Sequence, residues 1–249
     1  MSGVPAGEVQ APGATLDDRI VEVARRAVEQ GTTLPGEPAL ASVLGVSRPA
    51  LREALARLEH GGLIRRRRGA GTIVNPGALQ LSARFDQQVE FADVLEAAGY
   101  EPSVEVLERG IVQLGDDDAE ALEMPPGGPA LRTVKRWRAD GRAAMVAVDV
   151  VPFAPSRLAV VSAMAADISL FEVARRVLDV PVEWELAWPG ASSATSAVSR
   201  WLEVASRTSV MTLDLIGVAR DGTRAYRAQE HLVPGIVRPG FVRTVRAAE

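Results

Sequence analysis

The sequence has no cysteine, a single lysine and only two histidines among its 249 residues. Each shortage removes a class of chemistry. Without cysteine there is neither a disulfide framework nor cysteine-ligated zinc. The histidines, His60 and His231, stand far apart without metal-ligand spacing, so a metal enzyme or a Ser-His-Asp hydrolase would have to rest on one isolated imidazole. No metal site and no cofactor is expected. Long apolar runs are missing as well: none reaches the roughly 18–20 residues of a membrane span, and the N-terminus lacks a basic stretch followed by an apolar one. A cytoplasmic protein with no membrane partner is therefore expected, and the length allows one large domain or two small ones.

What the chain does have is charge, unevenly placed. The total is −4, with 27 of the 28 basic residues arginine. An acidic balance argues against a nucleic-acid partner, because phosphate neutralisation needs lysine and arginine. The distribution reverses that inference. Up to Gly77 there are ten arginines against eight acids, and between Ser47 and Thr72 seven arginines face only Glu53 and Glu59, a local charge of +5. Such a patch on an acidic protein is an electrostatic footprint for a polyanion, although an arbitrary arginine run is more often a solvated face.

The surroundings of the patch decide between these. Residues 1–14, rich in Gly, Pro and Ala, read as a mobile tail. Thr15 and Asp18 form a capping-box pattern ahead of Ile20, Val23, Ala24, Ala27 and Val28, a first helix stopped by Gly31. A second helix starts near Glu37, tolerates Pro38 in its first turn and ends at Gly45. Ser47 caps a third, which buries Leu51, Ala54, Leu55 and Leu58 and is closed by Gly61-Gly62. Two short helices meeting at a glycine turn make a helix-turn-helix. Arg48 and Arg52, four residues apart near the start of the third helix, sit where a recognition helix meets base edges in the major groove. Leu63-Ile64 and Thr72-Ile73-Val74 then read as a hairpin wing turning through Arg68, Gly69, Ala70 and Gly71.

From the second helix to the wing, LPGEPALASVLGVSRPALREALARLEHGGLIRRRRGAGTIV resembles the DNA-binding domain of the GntR family of bacterial transcription factors. The resemblance implies DNA contacts from Ser47, Arg48, Arg52, Arg68 and Gly69, and gives a winged helix-turn-helix domain at 15–77. Pro38 replaces a family arginine that contacts DNA, and Pro49 and Ala50 stand where threonines are common, so no contact is expected from these three.

After Asn75-Pro76-Gly77, residues 78–88 read as a linker. Residues 89–249 alternate helical and strand patterns: helices at Phe91–Ala98, Asp117–Leu122, Leu170–Leu178 and Thr195–Val204; strands at Val104–Val112, Ala130–Arg138, Met145–Val151, Val182–Trp188, Val210–Ala219, Arg224–Leu232 and Phe241–Val245. An antiparallel sheet with helices beside it, an α+β domain, is the natural reading. Arg136-x-Arg138 followed by Asp140-Gly141, then Ser169-Leu170-Phe171 and Arg220-Asp221-Gly222, are similar to the UTRA domain of the HutC-type GntR subfamily. That resemblance implies a chorismate-lyase-like fold which binds a small-molecule effector and supplies a homodimer contact.

Period two puts Arg136 and Arg138 on one face of a strand and Trp137 on the other, so the arginines form either an anion clamp or a surface pair bridged to neighbours. The resemblance favours the clamp and adds Phe91, Ser169, Phe171 and Tyr226 to the effector site; Ser169 reads equally as a helix cap. Ala147 and Tyr226 stand where sugar-responsive members carry glutamates, so a small anionic effector is expected. An inward-pointing Asp149 or Glu90 would argue against it. The function read from the sequence is a ligand-responsive DNA-binding regulator, a repressor released from a palindromic operator. The alternatives are a ligand-independent DNA-binding protein and an enzyme on the same scaffold, for which no His, Cys or paired carboxylate lies near the arginines.

Overall fold

The computed structural model describes residues 15–67, 71–81, 83–84, 89–179 and 181–243. The chain divides into two units: one takes the described residues up to 84 together with 239–243, the other those from 89 to 238.

In the first unit, helix α1 (Leu16–Glu29) begins at a full capping box: Thr15 Oγ1 accepts from the Asp18 amide, and the Asp18 carboxylate accepts from the Thr15 amide at 2.9 Å. Helix α2 (Glu37–Leu44) holds Pro38 in its first turn and ends on Gly45 in the left-handed region, φ 65°. Helix α3 (Arg48–His60) turns Leu51, Ala54, Leu55 and Leu58 into a core shared with Ile20, Ala24, Leu40 and Leu44. Each large aliphatic side chain buried there contributes about 1.5–3 kcal/mol relative to exposure. Strands β1 (Ile64–Arg67) and β2 (Gly71–Val74) pair antiparallel as a hairpin against this core.

The end of this unit departs from the sequence reading. Asn75 caps a short helix, α4 (Pro76–Leu79), whose Ala78 joins the core, so the first residues of the expected linker are part of the unit. Strand β3 (Ala83–Arg84) pairs in parallel with a two-residue strand at Pro239–Gly240 near the C-terminus. The strand expected at Phe241–Val245 is displaced to 239–240: residues 241–243 are not extended, and 244–245 lie outside the described residues. Val242 instead packs against the core over Gly62, where a Cβ would come within 2.5 Å of it.

The second unit is a six-stranded antiparallel sheet with helices on both faces. Helix α5 (Phe91–Ala97) leads into β4 (Pro102–Gln113), α6 (Asp116–Ala121), β5 (Pro129–Ala139) and β6 (Arg142–Pro152). A 3-10 turn and α7 (Leu158–Ala163), neither expected from the sequence, precede α8 (Leu170–Leu178), β7 (Val182–Ser193), α9 (Ser196–Leu202), β8 (Ser209–Ala219) and β9 (Arg224–Leu232). The strand order is β4-β5-β6-β9-β8-β7, two meanders joined where β6 pairs with β9. One face carries Ala130, Val134, Val146, Val150, Val210 and Ile216 and packs on α6 and α9. Residues one step along each strand point to the other face, towards α5 and α8.

Candidate functional site

The fold holds two candidate sites, one in each unit. On α3 the buried stripe leaves Arg48 and Arg52 exposed on the free side, one turn apart. Ser47 Oγ accepts from the Ala50 amide at 3.3 Å, so it caps the helix that carries them. The Arg52 guanidinium is held by Glu37 at the start of α2, Nε to Oε2 2.9 Å, with 70% of the Arg52 side chain still accessible. An ion pair this exposed is worth at most about 1 kcal/mol, so it aims Arg52 and gives it up cheaply to a stronger partner.

The other arginines of the basic patch divide by role. Arg57 makes a two-pronged pair with Asp17 of α1, at 2.6 and 2.9 Å, which ties α3 to α1. Glu59 accepts from both the Arg66 amide (2.7 Å) and Arg66 Nε (2.8 Å), anchoring the wing's first strand to α3. The amide bond is the larger reason that the Glu59 carboxyl is held below its ordinary range. Arg65 and Arg67 remain exposed on the hairpin. Arg68 and Gly69, expected at the wing tip, lie outside the described residues.

In the second unit Arg136 and Arg138, expected as an anion clamp, are paired with carboxylates. Arg136 and Arg138 do share a face, as the period requires, but it is the face covered by α9. Arg136 donates to Glu105, to Glu203 (2.8 Å) and to the Trp201 carbonyl (2.9 Å). Arg138 donates to Glu105 (2.6 Å) and Glu203 (2.5 and 2.9 Å). Two arginines and two glutamates neutralise one another in a closed cluster, which holds both carboxyls below and the Arg138 guanidinium above their ordinary values. Ser169 is a helix cap, its Oγ accepting from the Glu172 amide at 3.3 Å at the start of α8.

Phe91, Phe171 and Tyr226 lie on the opposite face, together with Lys135, Glu185 and Glu230, which the sequence reading did not assign to a site. Phe91 stands edge-on to Trp137, ring centres 6.3 Å apart, and Phe171 edge-on to Tyr226 at 6.0 Å. Lys135, 4% exposed, points to this face and donates from Nζ to the Ile168 carbonyl. Across the sheet Lys135 pairs in register with Ala147, and Ala147 with Glu230. Asp149, also 4% exposed, accepts from Thr133 Oγ1 at 3.1 Å. The Tyr226 ring lies over Gly217, where a Cβ would come within 2.2 Å of it, and its hydroxyl donates to Glu185 Oε1 on β7 at 2.7 Å.

This face is therefore acidic. Burial raises Asp149 to about 6 and Glu230 to about 8, and it raises Glu185 and Glu90 as well. Lys135 is lowered by the same burial, only partly offset by Asp149 and Glu90. The inward Asp149 is the feature that would argue against an anionic effector, and it is present. The signal was available: if Trp137 faces the pocket, so does Lys135, and so do Ala147 and Asp149 on the next strand. Among the described residues no group of three His, Cys, Asp or Glu side chains is placed to hold a metal ion.

Comparison with known proteins agrees with this division. Residues 14–74 match the model of the bacterial regulatory proteins of the gntR family, and residues 97–232 match the UTRA domain. A transcriptional regulator of Rhizobium meliloti, the uncharacterized HTH-type RB1450, is 31% identical over 145 residues, 56% of this chain and 59% of that protein. The HTH-type transcriptional regulator GgaR of Escherichia coli is 34% identical over 103 residues, 40% of this chain and 39% of GgaR. The chain thus spans less than two thirds of the length of these curated relatives. In fold it is similar to the possible transcriptional regulator YydK of Bacillus subtilis, with a TM-score of 0.67 at 14% identity over 92% of this chain and 99% of YydK. It is also similar to PhnF of Mycobacterium smegmatis, with a TM-score of 0.58 at 17% identity over 90% of this chain and 100% of PhnF.

Proposed function

The chain belongs to the GntR regulators that carry a UTRA domain, a family of transcriptional regulators and not of enzymes, and from this premise we propose that it is a ligand-responsive DNA-binding regulator. The observation that carries the reading is the joining, in one chain, of an exposed Arg48/Arg52 pair on a capped recognition helix with a UTRA-matching sheet unit. Arginine's planar fork pairs with guanine O6 and N7, which is what the first turns of a recognition helix are placed to do. Such a unit reads one half-site. A homodimer on an inverted repeat, with half-sites roughly 34–36 Å apart or as the dimer dictates, follows from that geometry. In a bacterial cell the protein would act in the cytoplasm, where the chromosome lies, and as a repressor if ligand binding lowers operator affinity.

The second unit is proposed to bind the effector on the α5/α8 face. An anionic effector at Arg136 and Arg138 would have to displace the carboxylate partners that both guanidiniums already have. Repeated selection of duplexes bound by the full chain from a random-sequence pool tests the DNA part of the proposal. The expected result is an enriched inverted repeat with G·C pairs in each half-site. Recovery of unenriched sequence would overturn it.

A further inference from the structure

Among the ion pairs of the basic patch, the one between Arg52 and Glu37 is built differently. Arg57 meets Asp17 with two prongs, Nε and Nη2, and Arg66 shares Glu59 with its own backbone amide. Both of those pairs tie one element to another. Arg52 gives Glu37 its Nε alone, and among the described residues its Nη1 and Nη2 have no partner. The guanidinium is thus gripped from the side with its outer end free. That end carries the two parallel N–H groups which guanine O6 and N7 accept.

Glu37 stands where a carboxylate is costly to DNA binding. It opens α2, and in a helix-turn-helix the first helix of the pair crosses the DNA backbone, so its charge faces phosphates of its own sign. The helix dipole favours an acid in that first turn. Any acid there serves the dipole, whereas only one long enough to reach Nε makes the pair with Arg52.

The two kinds of acceptor on DNA act on this pair in opposite ways. The edge of guanine is neutral, so Arg52 can take it through Nη1 and Nη2 with Glu37 still on Nε. A phosphate is an anion and repels the Glu37 carboxylate, so Arg52 has to leave Glu37 to neutralise it. We propose that Glu37 is a positioning residue that sets specificity: holding Arg52 from the side, it reserves the guanidinium for guanine and withholds it from phosphate. Non-specific binding is carried by phosphate contacts, and the pair subtracts one of them. An exposed ion pair supplies at most about a fivefold difference, which sets the size of the effect. The inference rests on the reading of Arg52 as a base contact and names the residue that governs its discrimination.

Titration of the full chain at several salt concentrations, with the duplex selected from the random pool and with an unrelated duplex of the same length, decides it. Glu37→Gln should lower the ratio of the two affinities about fivefold, mainly by tightening binding of the unrelated duplex. The salt dependence for that duplex should steepen by about one counterion per subunit, as Arg52 joins the phosphate contacts. Glu37→Asp keeps the first-turn charge and shortens the reach, so it should lower the ratio as well; a role in the helix dipole alone predicts no change for it. With Arg52→Ala already in place, neither substitution should move the ratio. If Glu37→Gln does not fold, Glu37→Asp with and without Arg52 decides alone. A ratio unmoved by either substitution, or moved equally in the absence of Arg52, would overturn the proposal. A natural chain that binds both duplexes equally would overturn the regulator reading with it, whereas a high ratio indifferent to Glu37 removes this inference only.

Discussion

At the scale of single residues, the most instructive result is that arginines of similar sequence context do different work. Arg52 is exposed and lightly held by Glu37, while Arg136 is nearly buried in a four-member ion cluster. Arg52→Ala should weaken specific operator binding by about 1–3 kcal/mol in a gel-shift titration and leave the melting temperature within a degree or two. Arg136→Ala should do the opposite. It leaves Arg138 as the one cation shared by Glu105 and Glu203 and the Trp201 carbonyl without its donor, so chemical denaturation should show a loss of about 2 kcal/mol. Glu230 makes a third prediction, in pH. Its carboxyl lies near 4.5 in an unfolded chain and near 8 in the fold, so the folded state holds the extra proton between these values. Stability from this group is complete below about pH 4.5 and is lost as pH rises towards 8. The melting temperature should fall over that window, and Glu230→Gln should flatten the fall; a parallel decline in both would contradict the assignment.

At the scale of elements, the helix-turn-helix was readable because its signals are local. Thr15, Gly45 and Ser47 each mark a boundary within a few residues of the atoms they satisfy, and α1, α2 and α3 begin or end there. The sheet unit was readable as elements but not as faces. Lys135, Arg136, Trp137 and Arg138 alternate with period two, which assigns them to two sides and leaves open which side α8 will cover. That choice is made by α9 packing on Val134 and Val146, contacts some fifty residues or more away along the chain, so which helices cover the arginine face was not legible. The C-terminal segment was hidden for the same reason. Pairing of β3 with Pro239–Gly240 and the seating of Val242 over Gly62 are long-range, and they give the DNA-binding unit a strand from the far end of the sequence. Gly62→Ala should therefore cost more than Gly45→Ala: both have positive φ, but the Gly45 site is open whereas an alanine at 62 also meets Val242. Truncation after Arg238 should lower the stability of the first unit, read by amide exchange in α3, and leave the second unit's sheet protected.

At the scale of the molecule, the acidic total charge is the sum of two unlike parts. The arginines that remain exposed on α3 and the wing hairpin are placed to meet phosphate and bases, while the second unit carries most of the acid, some of it buried beneath α5 and α8. A ligand that binds the second unit changes operator affinity only if it favours one arrangement of the dimer over another, a coupling typically of about 1–3 kcal/mol. The central claim, that one chain both reads DNA and senses a small molecule, is tested most directly by titrating the selected operator duplex by fluorescence anisotropy, with and without each compound that binds the full chain. The account predicts that at least one such compound shifts the operator Kd by about 5- to 150-fold. An operator Kd unmoved by every compound that binds would contradict it.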